Sequence, residues 1–251
     1  MNGLRMLVPG VVAVCAGAAA LADSVSIGAS HDNTLYETTD GSLSNGAGEH
    51  LFVGRAGGGE DRRGLVRFDV AGAVPSGATV TAVTLTLNLS RTQTGPQSVQ
   101  LHRLNSAWGE GTSDATGNEG GGAPAEPGDA TWLHTFHADT FWNSPGGDFE
   151  STFSHAITVN TLGRYVWDNS AAMIADVQLW LDDDGLNFGW LLLNPSGVPG
   201  TAQRFDTREN ADQSLRPFLR VEFTPIPAPA TAAILVVGIM SGQRRRRTSR
   251  N

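Results

Sequence analysis

The strongest constraint in this chain is alternation of apolar and polar residues at a period of two. Val83, Leu85, Leu87 and Leu89 alternate with Thr84, Thr86 and Asn88, and Leu219, Val221 and Phe223 alternate with Arg220, Glu222 and Thr224. Successive side chains of an extended backbone point to opposite faces, so each run predicts a half-buried strand. Val66, Phe68 and Val70 share one face of a third expected strand, with Arg67 and Asp69 on the other. Phe188, Gly189, Trp190, Leu191, Leu192 and Leu193 run without a polar break, the pattern of a strand covered on both sides. Turn-forming residues separate these runs at Pro75-Ser76-Gly77, Gly95-Pro96, Pro145-Gly146-Gly147 and Pro195-Ser196-Gly197.

One segment departs from period two. Met173, Ile174, Val177, Trp180 and Leu181 fall at helical spacing, with Ser170 placed to cap the start and Gly185 to stop the helix. Asp182, Asp183 and Asp184 then sit where a helix C-terminus disfavours negative charge, which reads as a solvated turn. Residues Gly109 to Asp129 are Gly-rich, acidic and nearly free of apolar side chains, so they are expected to form a long surface loop. Many short strands, abundant glycine and one short helix predict an all-β protein, an antiparallel β-sandwich of jelly-roll type. The length of 251 residues suits one such domain or two small ones, and the absence of a repeat favours one.

Charge narrows the function classes. All 17 basic residues are arginine, and six of them (Arg5, Arg244, Arg245, Arg246, Arg247 and Arg250) lie at the two ends. The middle therefore sets eleven arginines against 25 carboxylates, a surplus of fourteen negative charges. Such a body repels a phosphate backbone, which argues against nucleic acid as a partner. Without lysine there is no Walker-A lysine and no Schiff-base lysine.

Both ends read as targeting segments. Arg5, the apolar stretch Met6 to Leu21 and the small residues of Ala20-Leu21-Ala22 make residues 1–22 a secretory signal, cut between Ala22 and Asp23. Cys15, the single cysteine, leaves with it, so the mature protein has neither a disulfide nor a thiolate. Residues 225–251 begin with the stiff Pro225-Ile226-Pro227-Ala228-Pro229 and continue as an apolar stretch to Met240, ending in Arg244–Arg247. As a helix the apolar stretch would span about 20 Å, short of the ~30 Å bilayer core. This order of elements resembles the PEP-CTERM sorting signal of exported bacterial proteins, with Ala228 where that family has glutamate. The resemblance implies that Pro227 and Pro229 precede the point cut by an exosortase and that Arg244, Arg245, Arg246 and Arg247 stay on the cytoplasmic side of the membrane. A plain membrane tail is the alternative reading.

Residues 23–224, the expected domain, carry a second resemblance. Arg63-Gly64-Leu65-Val66-Arg67-Phe68-Asp69 followed by Pro75-Ser76-Gly77-Ala78-Thr79-Val80 and Ala82-Val83-Thr84-Leu85-Thr86-Leu87 is similar to the opening of DNRLRE-domain proteins. Trp108-Gly109-Glu110, Thr131-Trp132, the pair Val177…Trp180 with Asn187-Phe188-Gly189-Trp190, and Phe205-Asp206-Thr207-Arg208-Glu209 followed by Pro217-Phe218-Leu219 match its later elements in order, with Thr207 in place of serine. The resemblance implies a jelly-roll β-sandwich related to carbohydrate-binding modules, some of whose members bind acidic polysaccharide such as alginate, and it brings no catalytic residues.

Candidate sites follow from loops and rings. Trp108 and Trp142 lie beside Gly-rich or Gly-Pro loops, where an indole can stack on a sugar face. Asp182, Asp184 and Asn187 form an oxygen-rich turn suited to a structural Ca²⁺, as does Glu110–Asp114, although the glycine spacing is not that of an EF-hand. His134 and His137, read as lying on one strand, should point to opposite faces and so not converge on a metal. An acidic body opposes an acidic glycan unless the ligand is neutral or calcium bridges the two. The expected function is therefore an exported, non-catalytic surface or matrix protein that binds polysaccharide. The alternatives are a matrix structural protein without a small ligand and, behind it, a polysaccharide hydrolase or lyase.

Overall fold

The computed structural model describes residues 21–226. The signal segment before Leu21, and the sorting residues Pro227, Pro229, Arg244, Arg245, Arg246 and Arg247, lie outside the described residues. Asp23, the expected first residue of the mature chain, is also the first residue of a strand.

In chain order the strands are β1 (Asp23–Tyr36), β2 (Leu43–Ser44), β3 (His50–Arg55), β4 (Asp61–Phe68), β5 (Thr79–Arg91), β6 (Gln97–Arg103), β7 (Ala123–Pro124), β8 (His134–Phe136), β9 (Thr140–Phe141), β10 (His155–Val159), β11 (Gly163–Trp167), β12 (Trp190–Leu193), β13 (Gln203–Asp206) and β14 (Phe218–Thr224). The helices are α1 (Val70–Ala73) and α2 (Ala171–Asp182). The described part of the protein is all-β, with two short helices where the sequence predicts one.

Ten strands hydrogen-bond in the order β1-β14-β5-β13-β3-β4-β12-β6-β10, with β11 on the other edge of β5. β1 serves two neighbours. Its first half, Asp23 to Gly28, runs antiparallel to β14, and its second half, from Ala29 to Tyr36, runs antiparallel to β4. A bulge between Ala29 and His31 lies at the changeover, the kind of irregularity that turns a strand from one partner to another. β2 pairs with β7 and β8 with β9 in two separate two-stranded ladders.

The core is built by the runs that alternate. Val83, Leu85, Leu87 and Leu89 of β5 are fully buried, as are Leu219 and Val221 of β14, and they join one apolar cluster with Val66, Phe68 and the buried face of α2. The continuous run in β12 behaves as its composition demands. Trp190 and Leu192 enter this large cluster while Leu191, between them, enters a second one with Leu35, Leu65, Leu104 and three tryptophans. β12 lies between β4 and β6, so both of its edges are paired, and the two clusters cover its two faces.

The helices follow local chemistry. Ser170 Oγ accepts the amide of Met173 at 3.1 Å and caps α2, whose Met173, Val177, Trp180 and Leu181 are buried. The expected extension of the third strand to Val70 does not occur. Asp69 accepts the amide of Gly72 at 2.9 Å, so the strand ends at Phe68 and Val70 is buried from a single helical turn instead.

Two glycines, Gly189 and Gly46, answer to close approach. Gly189 has φ +78°, and a Cβ there would stand 2.1 Å from the Val66 carbonyl oxygen. Asn187, two residues earlier, donates from Nδ2 to the Phe68 carbonyl at 2.8 Å, so the Asn-x-Gly-Trp segment is shaped by its fit against β4. Gly46 would meet the Glu110 carbonyl oxygen at 1.7 Å, which brings the 109–129 loop against the body.

That loop is the main departure from expectation. It is not a free surface loop: Ser113, Ala115, Glu119, Ala123 and Asp129 are all buried. Apolar burial does not hold it; polar contacts do. Glu119 Oε2 accepts from Asn45 Nδ2 at 2.8 Å and from the His50 amide at 2.9 Å, while its carbonyl accepts the Tyr36 hydroxyl at 2.9 Å. Asp129 Oδ1 accepts the Thr112 amide and Oδ2 the Glu126 amide, closing the loop on itself.

Candidate functional site

Strand register assembles a basic cleft. Arg204 on β13 lies opposite Arg91 of β5 and opposite Phe52 of β3. Directly opposed residues share a face, so the two guanidinium groups and the ring form one row. Arg62 on β4 pairs with Gly54, two residues beyond Phe52, and so faces the same way. These side chains, with Gln93, Asn118 and Gly120, line a cleft of about 190 Å³ that contains no carboxylate.

The arginines there are held without a direct ion pair to a carboxylate. Arg62 Nη1 donates to the Asp61 carbonyl at 2.9 Å and its guanidinium stands 4.9 Å over the Tyr36 ring, while its Nε has no partner. Arg204 Nε donates to Ser90 Oγ at 3.1 Å. Among the described residues, Arg62, Arg91 and Arg204 make no ion pair with a carboxylate, whereas Arg55, Arg103, Arg208 and Arg220 all do. Burial pulls the Arg62 and Arg204 guanidinium groups below their ordinary values; Glu60, Glu37 and Asp61 oppose this at Arg62, and at Arg204 the neighbouring Arg91 adds to it while Asp206, Glu119 and Glu49 oppose it. Like charges opposed across a ladder are unfavourable unless something between them compensates. In a body with a surplus of fourteen negative charges, this cleft is lined by three arginines and by no carboxylate, a lining suited to an anion.

A second cluster has the opposite sign. Asp32 of β1, Glu110 of the long loop and Glu209 after β13 bring carboxylate oxygens within 4.8 Å of one another. Arg208 organises them: Nε and Nη2 donate to Glu110 Oε1 and Oε2 at 2.7 and 2.6 Å, and Nε lies 2.9 Å from Glu209 Oε1. Asp32 Oδ2 accepts the Arg208 amide and Glu110 Oε1 accepts the Asp32 amide, both at 2.8 Å. Asp32 Oδ1 and Glu209 Oε2 are buried with no donor. Burial, reinforced by Glu209 and Glu110, holds the Asp32 carboxyl well above the usual carboxylate range against the pull of Arg208.

The residues singled out from sequence are placed differently from expectation. Trp108 and Trp142 are each only 5% exposed, packed in the second apolar cluster. Their indole N–H groups donate to the Phe188 and Thr131 carbonyls at 2.8 and 2.9 Å, so neither offers a face to a sugar. Asp182, Asp184 and Asn187 do not converge. Asp182 Oδ1 accepts from Gln178 Nε2, Asp184 opens a 3-10 turn on the surface, and Asn187 is turned inward to the Phe68 carbonyl. Asp183, not Asp184, serves that turn by accepting the Gly185 amide at 3.0 Å. His134 and His137 do meet, edge to face at 4.9 Å, because β8 ends at Phe136 and His137 is no longer bound by strand alternation.

Sequence reasoning did not find the arginine cleft. Its members sit 29 and 113 residues apart along the chain, and no local pattern marks them: Arg62 even follows Glu60-Asp61 directly. Of the acidic cluster, Glu110 belonged to a loop noted for its oxygens. Glu209 lies in the family-like element Phe205 to Glu209, and Asp32 belongs to no motif read from the sequence. The chain matches no protein-family model and no curated protein.

Proposed function

We propose that this is an exported, non-catalytic surface or matrix protein whose β-domain binds an anionic polysaccharide in the cleft of Arg62, Arg91 and Arg204. One observation carries the reading: three arginines without carboxylate partners face one opening in an otherwise acidic molecule. Planar guanidinium groups match the carboxylate of a uronic acid or a sulfate ester in a two-point geometry, and Phe52 at the floor offers apolar surface for a sugar ring. A lining of arginines without carboxylates removes the conflict between an acidic body and an acidic glycan.

The same proposal includes the finer architecture. Two antiparallel layers joined through β1 and β3, each of which pairs to both sides, amount to a jelly-roll sandwich, and this agrees with the DNRLRE-like order of motifs. Export rests on residues 1–22, cleaved between Ala22 and Asp23, and retention at the surface on a PEP-CTERM-like tail with Pro227, Pro229 and Arg244–Arg247.

Affinity electrophoresis of the full chain through gels holding alginate, a sulfated galactan or a neutral glucan tests it. Retardation by the anionic polymers, reduced in Arg91→Gln and Arg204→Gln, supports the reading. Equal migration in every gel, with or without Ca²⁺, rejects it and leaves a matrix structural role.

A further inference from the structure

We propose that Asp32, Glu110 and Glu209 hold a divalent cation of the hard, oxygen-preferring class, tying together three segments remote in sequence. The acidic cluster alone would not carry this. The second observation is the state of Asp32: its side chain is wholly buried, yet Oδ1 has no donor. Glu209 Oε2 is likewise buried and without a donor. A buried carboxylate oxygen left without a partner is costly, so two of them in one cluster call for a positive occupant.

Charge and donor chemistry fix the class of that occupant. With an ion bound, the three carboxylates would carry three negative charges and Arg208 would cancel one, leaving the two that a divalent ion neutralises. The ligand atoms are oxygens only. The sole nearby imidazole, His31, has its Nδ1 engaged 3.1 Å from Ser30 Oγ, and the mature chain has no thiol. An all-oxygen set with mixed rigidity fits Ca²⁺ better than a transition metal.

Geometry allows entry. The Glu110 and Glu209 side chains are 12% and 19% exposed, whereas Asp32 is closed off, so an ion would arrive from the side of the glutamates and meet Asp32 at the floor. Waters on the open side would complete the six to eight ligands that Ca²⁺ takes. Glu110 Oε2 accepts one hydrogen bond, from Arg208, and keeps a lone pair for the ion. Arg208 is then a positioning residue, which orients Glu110 and Glu209 while its amide fixes Asp32.

Calorimetric titration of the full chain with Ca²⁺ alone, together with Tb³⁺ luminescence, tests this. Trp108 stands edge-on to His31 at 6.1 Å, adjacent to Asp32, so excitation of the indole sensitises a terbium ion held there. The expected result is one saturable Ca²⁺ per chain, terbium emission displaced by Ca²⁺, and affinity at least about tenfold weaker in Glu209→Gln, as for other losses around a metal. Glu209 is partly exposed, so this variant tests the site even where Asp32→Asn fails to fold. Asp182→Asn leaves the titration unchanged. The proposal is overturned if the folded chain binds neither ion saturably, if Glu209→Gln binds as the parent does, or if Asp32→Asn raises the melting temperature while Ca²⁺ has no effect. The last outcome would mean that the two orphaned oxygens share a proton.

Discussion

Trp190 donates its indole N–H to Asp176 Oδ2 across 2.8 Å, so a ring at the centre of the sheet is fastened to a carboxylate on the inward face of α2. The same oxygen accepts the Ser154 hydroxyl, and Arg103 Nε stands 3.1 Å from Oδ1. Trp190 in turn packs edge-to-face on Trp180 at 4.5 Å. The helix is thus held by apolar packing and by one buried acid whose partners come from three other segments. That arrangement has a pH signature.

Burial raises the Asp176 carboxyl above its ordinary 3.8, with Ser154, Trp190 and Arg103 opposing and not fully compensating. The folded chain therefore holds this proton more tightly than the unfolded chain does. Between 3.8 and the raised value, stability falls as pH rises, because the unfolded state binds fewer protons than the native one. Asp176→Asn cannot ionise and lacks this dependence. Melting curves from about pH 3 to pH 7 should show the parent losing ground to Asp176→Asn as pH increases. A constant difference, or one of opposite sign, contradicts the account.

Trp108 and Trp142 act as core, with a testable consequence for the glycan reading. Replacing either by alanine removes a buried indole and leaves the Phe188 or Thr131 carbonyl without its donor, a loss of about 3–5 kcal/mol. Urea unfolding should register that loss for each. Under conditions where the variants remain folded, their retention on an anionic polysaccharide should equal that of the parent. Weakened binding at unchanged stability would return the tryptophans to the binding surface.

Contacts made by the cleft arginines are electrostatic, so they should respond to salt. Retention on a polyuronate should fall steeply as NaCl is raised from about 0.05 to 0.5 M, over which the Debye length shortens from above 10 Å to below 5 Å. Arg91→Gln and Arg204→Gln should each weaken binding about tenfold, equivalent to ~1.4 kcal/mol. Arg220, exposed and paired with Glu222, provides the contrast: Arg220→Gln should bind as the parent does.

Glu119 fastens the long loop. Glu119→Ala leaves the His50 amide and Asn45 Nδ2 without their acceptor, at a cost of about 1–3 kcal/mol. Because no apolar cluster holds residues 109–129 as a unit, the loss should be local. Hydrogen exchange should quicken across that loop while β5 and β14 keep their protection. Unchanged exchange in the loop would show that Asp129 and the Tyr36 hydroxyl suffice.

Where one side chain needed only its neighbours in sequence, the sequence was enough. The alternation of Val83 to Leu89 and of Leu219 to Phe223 determined two core strands, the unbroken run at Trp190 to Leu193 determined a strand covered on both faces, and Ser170 determined the start of α2. Period and capping act over a few residues, and burial then follows from polarity alone. Strand register decided the rest. Arg204 stands opposite Arg91 and Phe52 only after β13 is laid between β5 and β3, and Glu110 reaches Asp32 only after Gly46 lets the loop close in. The same holds for the tryptophans: a Gly-rich flank suggested exposure, but Trp108 packs in the second apolar cluster and donates to the Phe188 carbonyl, 80 positions away in the chain. Polar contacts between residues 70 or more positions apart carry no local periodicity, so only the folded chain could bring them together.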